Sequence, residues 1–223
     1  MTPPARILAF VNQKGGPGKT TLAMHVAGEL ARAGDRVLVA DADPQATATR
    51  WAAAAPDATP FPAAVAGLGN AGEKLHRELK KYVAPYDWIV VDCPPSAESN
   101  LTRSALLVAD LAVVPVVPSP PDLWAGIAIR QVLQDVTVLN GQLQSRLLVN
   151  RRKAGTRLAT HTLDLLPRYD IPVLQSQIGE REAFRHAAAG GVTVADLPRA
   201  GKAAAEIANL TQELLLVLNG DRE

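Results

Sequence analysis

The residues best able to do chemistry stand together near the start of the chain, in the run Asn12-Gln-Lys-Gly-Gly-Pro-Gly-Lys-Thr-Thr21. Gly15, Gly16 and Gly18 let the backbone approach an oxyanion closely and turn its N–H groups inward. A helix starting here adds the positive end of its dipole at the same place. Lys19 supplies a point charge for the outer oxygens of a phosphate chain, and the hydroxyl of Thr20 a ligand for Mg²⁺. With Thr21 these residues read as a phosphate cradle. The common pattern G-x-x-x-x-G-K-[ST] needs glycine at position 13, where this chain has Gln13, and a second lysine, Lys14, opens the loop instead. A plain glycine turn is the competing reading. It does not account for an apolar strand, glycines, Lys-Thr and a helix falling in this order.

Carboxylates follow at two strand ends. Arg36-Val-Leu-Val-Ala40 runs into Asp41-Ala-Asp43-Pro-Gln45, and Trp88-Ile-Val-Val-Asp92 into Cys93-Pro-Pro-Ser96. The carboxyl ends of strands are where open α/β sheets bind ligands. A hydrophobic strand closed by aspartate, here Asp92, fits a carboxylate that holds Mg²⁺ through its water. Asp43 reads either as a working carboxylate or as a turn cap before Pro44.

The elements that must position these groups alternate along the chain. Strands are expected over Ile7–Val11, Arg36–Ala40, Trp88–Asp92, Leu111–Val117, Arg146–Asn150 and Ile171–Leu174, with Pro115 weakening the fourth. Helices are expected over Thr20–Ala33 with Gly34 as its cap, Ala46–Ala55, Glu73–Tyr82, Asn100–Ala109, from the Ser119-Pro-Pro-Asp122 loop to about Leu139, and over His161–Tyr169, Glu180–Ala189 and Lys202–Leu218. Pro56, Pro60 and Pro62 mark an irregular excursion. The alternation predicts an α/β fold, a mostly parallel sheet covered by helices on both faces. No linker, repeat or low-complexity tract appears, so residues 1–223 read as one domain. Few residues precede the first strand, which leaves no room for an N-terminal helix-turn-helix.

Composition narrows the class. With 48% apolar and 20% charged residues the chain is ordinary for a soluble globular protein. A net charge of +1 exerts no global pull on nucleic acid or membrane, so any such attraction must come from local patches. The single cysteine, Cys93, excludes a disulfide framework. No apolar run approaches the roughly 20 residues that span a bilayer, and no apolar leader precedes the first strand, so the cytoplasm is the expected compartment. His25, His76, His161 and His186 lack ligand spacing and predict no protein-built metal site.

Four segments carry a family resemblance: Lys14 to Thr21, Asp41-Ala-Asp-Pro-Gln45, Val90-Val-Asp-Cys-Pro-Pro95, and Val114 to Asp122 with its Pro-Ser-Pro-Pro-Asp. On these the chain resembles the ParA/MinD family of deviant-Walker P-loop ATPases over essentially its whole length. Within it, the chain is similar to the short ParA proteins, such as ParF of plasmid partition and McdA of carboxysome positioning. The resemblance implies a P-loop NTPase fold, ATP and Mg²⁺ as cofactors, and hydrolysis to ADP and phosphate in a nucleotide-sandwich homodimer. Lys14 would reach the partner's phosphates as an in-trans cation, much as an arginine finger does. Lys14, Lys19 and Asp43 would then be catalytic, with Asp43 orienting water. Asp41 and Asp92 would hold Mg²⁺ indirectly beside Thr20. Asn150 would read the adenine edge with Arg151 stacked on the ring, although asparagine is also a common strand-end turn residue. Asp122 would contact the partner subunit or cap the following helix.

The family also implies nonspecific DNA binding by the ATP dimer and a ParB-like or McdB-like adaptor that stimulates hydrolysis, with nucleoid association as the result. Two basic groups are available, Arg151, Arg152, Lys153 and Arg157, and later Arg181, Arg185, Arg199 and Lys202. The later group fits the family's placement better, and a solvated face is the competing reading. A MinD-like membrane role is not expected, because the charges between Ala203 and Leu218 are Glu206 and Glu213. Two other functions remain open at this point: a small-molecule kinase or ligase, which would need an acceptor site, and a regulatory scaffold that binds nucleotide without hydrolysing it.

Overall fold

Apolar residues alternate along the strands, and each alternate set faces a different layer of helices, as a sheet buried on both sides requires. The computed structural model describes residues 4–118, 120–153, 166 and 170–220. The expected helix over His161–Tyr169, apart from Leu166, and Ser119 and Arg157 lie outside the described residues, as does the side chain of Asp122.

Seven strands form one sheet: β1 (Arg6–Phe10), β2 (Val37–Asp41), β3 (Ala64–Gly67), β4 (Trp88–Asp92), β5 (Leu111–Val116), β6 (Gln144–Arg152) and β7 (Val173–Gly179). Their order is β3-β2-β4-β1-β5-β6-β7, and every pairing is parallel. Among the described residues seven helices connect or follow them: α1 (Lys19–Arg32), α2 (Thr47–Ala53), α3 (Leu75–Lys80), α4 (Asn100–Leu106), α5 (Pro120–Thr137), α6 (Glu182–Ala189) and α7 (Gly201–Asn219).

Ile7, Ala9, Leu38, Ala40, Ile89, Val91 and Leu147 face one core, which α3, α4 and α5 cover with Leu75, Leu79, Leu101, Leu106 and Ile129. Leu8, Phe10, Val37, Val39, Val90 and Leu148 face the other, under Leu22, Val26, Trp51, Ile207 and Leu210. Each fully buried Leu, Val or Phe contributes roughly 1.5–3 kcal/mol of transfer free energy, so the period-two pattern sets the register of the whole sheet.

One strand was not expected, and one that was expected holds a proline that needs a physical account. Ala64–Gly67, in the proline-flanked excursion, is an edge strand in register with Leu38–Asp41. Four small residues carry no period-two signal, and only the neighbouring strand makes them one. Pro115 sits inside an interior strand, the fifth of seven, where a missing N–H should break the ladder. The break is absorbed because β1 pairs only with Leu111–Val113 and the chain has turned away beyond Phe10. The Val11 N–H donates to the Val113 carbonyl, and two residues later the Pro115 carbonyl accepts instead from the Asn12 side chain.

The outer edge at β7 is covered by side chains. Glu213 on α7 accepts from the N–H groups of Gln175 and Ser176 at 2.6 and 2.8 Å, and Glu206 from that of Gly179 at 3.1 Å. The two acidic residues of α7 thus dock that helix on the sheet, which agrees with the packing role expected for it. Among the described residues no helix is long and apolar enough to cross a membrane.

Candidate functional site

The glycine-rich loop leaves β1 at the middle of the sheet, and side-chain amides pin it from three directions. Asn12, 3% exposed, donates from Nδ2 to the Pro115 carbonyl at 2.6 Å and accepts the Lys14 N–H on Oδ1 at 3.1 Å. Gln13 accepts the Ala97 N–H on Oε1 at 2.6 Å, tying the loop to the segment after β4. Asn150 donates from Nδ2 to the Pro17 carbonyl at 2.6 Å, and Arg151 from Nη1 to the Gly16 carbonyl at 3.2 Å. Sequence reasoning treated Gln13 only as a missing glycine. The available signal was that an amide stands there, since amides can staple a loop and glycine cannot.

Within the loop, Gly16 and Gly18 adopt φ of 91° and 93°, a left-handed backbone that side chains resist. Gly18 leads directly into α1, whose first residue is Lys19. Lys19 is 6% exposed and donates from Nζ to the Lys14 carbonyl at 3.2 Å. Burial lowers its ammonium pKa, while the charges of Asp92, Cys93 and Asp43 oppose the shift. Lys14 itself is exposed, so the two lysines of the loop occupy different environments.

Asp41 and Asp92 end neighbouring strands and are register partners, both fully buried. Asp41 is saturated. Its Oδ2 accepts from the Thr49 N–H and hydroxyl, each at 2.8 Å, and its Oδ1 from the Asp43 N–H at 3.3 Å. Neither oxygen of Asp92 meets a donor in hydrogen-bond geometry. Burial pushes its pKa up to about 7, the nearby Thr20 hydroxyl and Lys19 counter this in part, and the Asp41 and Asp43 charges add to it. Among the described residues no three His, Cys, Asp or Glu side chains cluster as a metal cage. A buried carboxylate with two vacant oxygens beside a threonine hydroxyl is nonetheless a hard-oxygen set of the kind that holds Mg²⁺ together with waters and phosphate oxygens.

Asp43 is partly buried and takes the Gln45 N–H on Oδ1 at 2.9 Å, the turn-capping bond of an Asx turn. It remains close enough to the loop for its charge to act on Lys19 and Asp92. The structure therefore brings Lys14, Lys19, Thr20, Asp41, Asp43 and Asp92 to one end of the sheet.

Beside the loop lies a pocket of about 240 Å³ bounded by Gly16, Gly18, Thr21, Asn150, Arg151 and Arg185, with Leu22, Ile178 and Phe184 among its apolar walls. Glu180 stands at its margin, paired with Arg151 at 3.2 Å, Lys153 at 3.4 Å and Arg185 at 3.7 Å. The Arg151 guanidinium first, then Lys153, hold the Glu180 carboxyl below its usual range. The later basic group is not a continuous stripe. Arg199 and Lys202 share a concavity with Glu180, Arg181 and Glu182, Arg185 lines the pocket beside the loop, and Arg181 borders both. Arg181 is engaged by a two-pronged pair with Glu206, and Arg185 by Glu182.

Comparison with known proteins agrees with this geometry. A family model described as the CobQ/CobB/MinD/ParA nucleotide binding domain matches residues 8–194. The maintenance of carboxysome distribution protein A of Halothiobacillus neapolitanus is 33% identical over 205 residues, covering 91% of this chain and 92% of that protein. The chromosome partitioning protein ParA of Caulobacter vibrioides is 30% identical over 182 residues, covering 65% of this chain and 67% of that protein. Among solved structures, an ATP complex of Cyanothece McdA superposes with a TM-score of 0.78 at 18% identity, over 94% of this chain and 96% of that one. Cobyrinic acid a,c-diamide synthase of Mycobacterium smegmatis, bound to an ATP analogue and magnesium, gives 0.75 at 24% identity over 98% and 97%. These two likenesses show a common fold.

Proposed function

The chain belongs to the CobQ/CobB/MinD/ParA nucleotide-binding family, and we propose that within it the protein is a ParA-type positioning ATPase, active as an ATP-dependent homodimer. The observation that carries the reading is the split between the two loop lysines, Lys19 buried against the Lys14 carbonyl and Lys14 exposed. A lysine that serves its own subunit's phosphates belongs inside the loop. One that serves a second subunit's phosphates must stand outside it.

Each residue then has a task. The loop N–H groups, Lys19 and the start of α1 bind the phosphate chain. Thr20 and Asp92 would hold Mg²⁺, which supplies charge neutralisation of the phosphate oxygens when bound. Asp43 orients the attacking water through its carboxylate, and Lys14 of one subunit stabilises the charge that develops in the other. The exposed basic residues Arg185, Arg199 and Lys202, with the partly buried Arg181, doubled by dimerisation, bind DNA through its backbone, with each neutralised phosphate steepening the log-log salt dependence by about 0.9. A partner of ParB or McdB type stimulates hydrolysis and releases the dimer. The carboxysome-distribution relative is matched nearly end to end and the chromosome-partition relative over about two thirds, which favours a protein assembly as cargo.

Light scattering with ATP and Mg²⁺ tests the reading. Asp43→Ala is expected to accumulate as a stable dimer. Lys14→Ala is expected to keep ADP affinity while hydrolysis falls by about 10³-fold, the lower range for loss of an in-trans cation. Wild-type turnover by Lys14→Ala overturns the sandwich. A small-molecule kinase or ligase, by contrast, would turn over as a monomer with a metabolite.

A further inference from the structure

Resting on the reading of Asp43 as the carboxylate that orients water, we infer that Gly69 is a positioning residue for it. The backbone of Asp43 and Pro44 lies in the space that a side chain at residue 69 would fill, and this close approach sets where the Asp43 carboxylate stands.

The two segments leave the sheet side by side. Asp41 and Gly67 are the last register pair of β2 and β3, and the same register, carried two residues further, sets Gly69 opposite Asp43. A Cβ on Gly69 would stand 2.9 Å from both the nitrogen and the Cα of Pro44, and 3.0 Å from the Asp43 carbonyl oxygen. Favourable contact begins at about 3.5 Å, so an alanine there must drive the segments about 0.5 Å apart. All three obstacles are backbone atoms, which no rotamer change can move aside. Gly69 is also not among the glycines with positive φ. Glycine is needed there for room and not for conformation.

The side that gives is the Asp43 turn. Next to Gly69, the Leu68 N–H donates to the Asp41 carbonyl at 2.7 Å, and the side chains of Leu68 and Ala71 pack on the core that α3 and α4 cover. Asp43 is held mostly by its own turn. Its carbonyl accepts the Ala46 N–H at 2.8 Å, its Oδ1 the Gln45 N–H at 2.9 Å, and its N–H reaches Asp41 Oδ1 at a longer 3.3 Å. Ala46 closes the turn at φ of 52°, a left-handed backbone that alanine adopts at a cost. The carboxylate is tied to this turn through Gln45, so displacing the turn displaces the carboxylate. The phosphate loop, Lys19, Thr20 and Asp92 are not among the atoms that the added Cβ would meet. Loss should therefore fall on turnover and spare nucleotide affinity.

The experiment measures phosphate release from ATP with Mg²⁺, calorimetric ADP affinity and Tm on the full chain, Gly69→Ala, Gly69→Val, Asp43→Ala, the double variant of Asp43→Ala with Gly69→Ala, and Gly72→Ala. A misplacement of 1 Å costs roughly a hundredfold, so half of that in Gly69→Ala should lower kcat by about tenfold. ADP affinity should stay as in the wild type, and Gly69→Val should lose more turnover. In the Asp43→Ala background Gly69→Ala should add no further loss, because the group it displaces is already gone. Gly72→Ala is the control from the same loop. Its Cβ meets nothing within 4 Å, although φ of 56° strains it, so Tm should drop while turnover stays near wild type. Wild-type turnover in Gly69→Ala, a further loss on top of Asp43→Ala, an equal loss in Gly72→Ala, or a Gly69→Ala chain that no longer folds and binds ADP overturns the inference alone. Wild-type turnover in Asp43→Ala overturns the water-orienting reading and this inference with it.

Discussion

Asp41 and Asp92 end adjacent parallel strands, face each other in register and are equally inaccessible, yet their surroundings are opposites. Asp41 accepts three hydrogen bonds, two of them from Thr49 in the first turn of α2. Asp92 accepts none. Taking a carboxylate out of water without partners is costly, and a fold keeps such a group where something else completes it. The pair teaches that strand-end position alone does not make a carboxylate a metal holder. In the structure Asp41 fastens α2 to the sheet, whereas Asp92 has the vacant oxygens that Mg²⁺ chemistry needs. The expected indirect Mg²⁺ role of Asp41 therefore competes with a structural one that its contacts already explain.

Substitution should separate the two. Asp41→Ala strips two bonds from the Thr49 backbone and hydroxyl and is expected to destabilise by about 3 kcal/mol, lowering Tm by roughly 6–12 °C in thermal unfolding. If Tm stays put while hydrolysis disappears, the contrast is broken and Asp41 is a site residue. Asp92→Asn should do the reverse. Hydrolysis is expected to fall by roughly 10–100-fold, the range for outer-shell support of a metal, while the ligand-free protein melts at the same temperature or higher because an unpaired buried carboxyl has gone. A marked drop in Tm would show that the carboxylate has structural partners after all. Thr49→Val, which removes only the hydroxyl bond, should cost about 1 kcal/mol by the same measurement and leave hydrolysis near wild type.

The fold was readable because its signals are local. Strands at Ile7, Val37, Trp88 and Leu111 announce themselves as apolar runs, and helices between them by period and caps, so the covered parallel sheet follows from pattern alone. What escaped was held by distant partners. Ala64–Gly67 becomes a strand through Leu38–Asp41, and Pro115 is tolerated in β5 because Asn12 takes its carbonyl. The basic residues after Gly179 looked like one group along the chain, but in space Glu206 pairs with Arg181, and Glu180 and Glu182 pair with Arg185.

The sequence by itself determined the chemistry on offer, a glycine loop with two lysines, a threonine hydroxyl and three aspartates at strand ends. Residue type and short spacing suffice for that, because backbone freedom at glycine and charge at lysine or aspartate travel with the residue. Only the tertiary structure decided which of these groups is spent and which is free. Thr49 occupies Asp41, the Asp92 oxygens meet no donor in hydrogen-bond geometry, Gln13 is a tether, and Asn150 lies on the loop. The physical reason is that a hydrogen bond commits a polar group to a partner that can lie more than 130 residues away, as Pro17 does from Asn150. Spacing along the chain carries no trace of that choice.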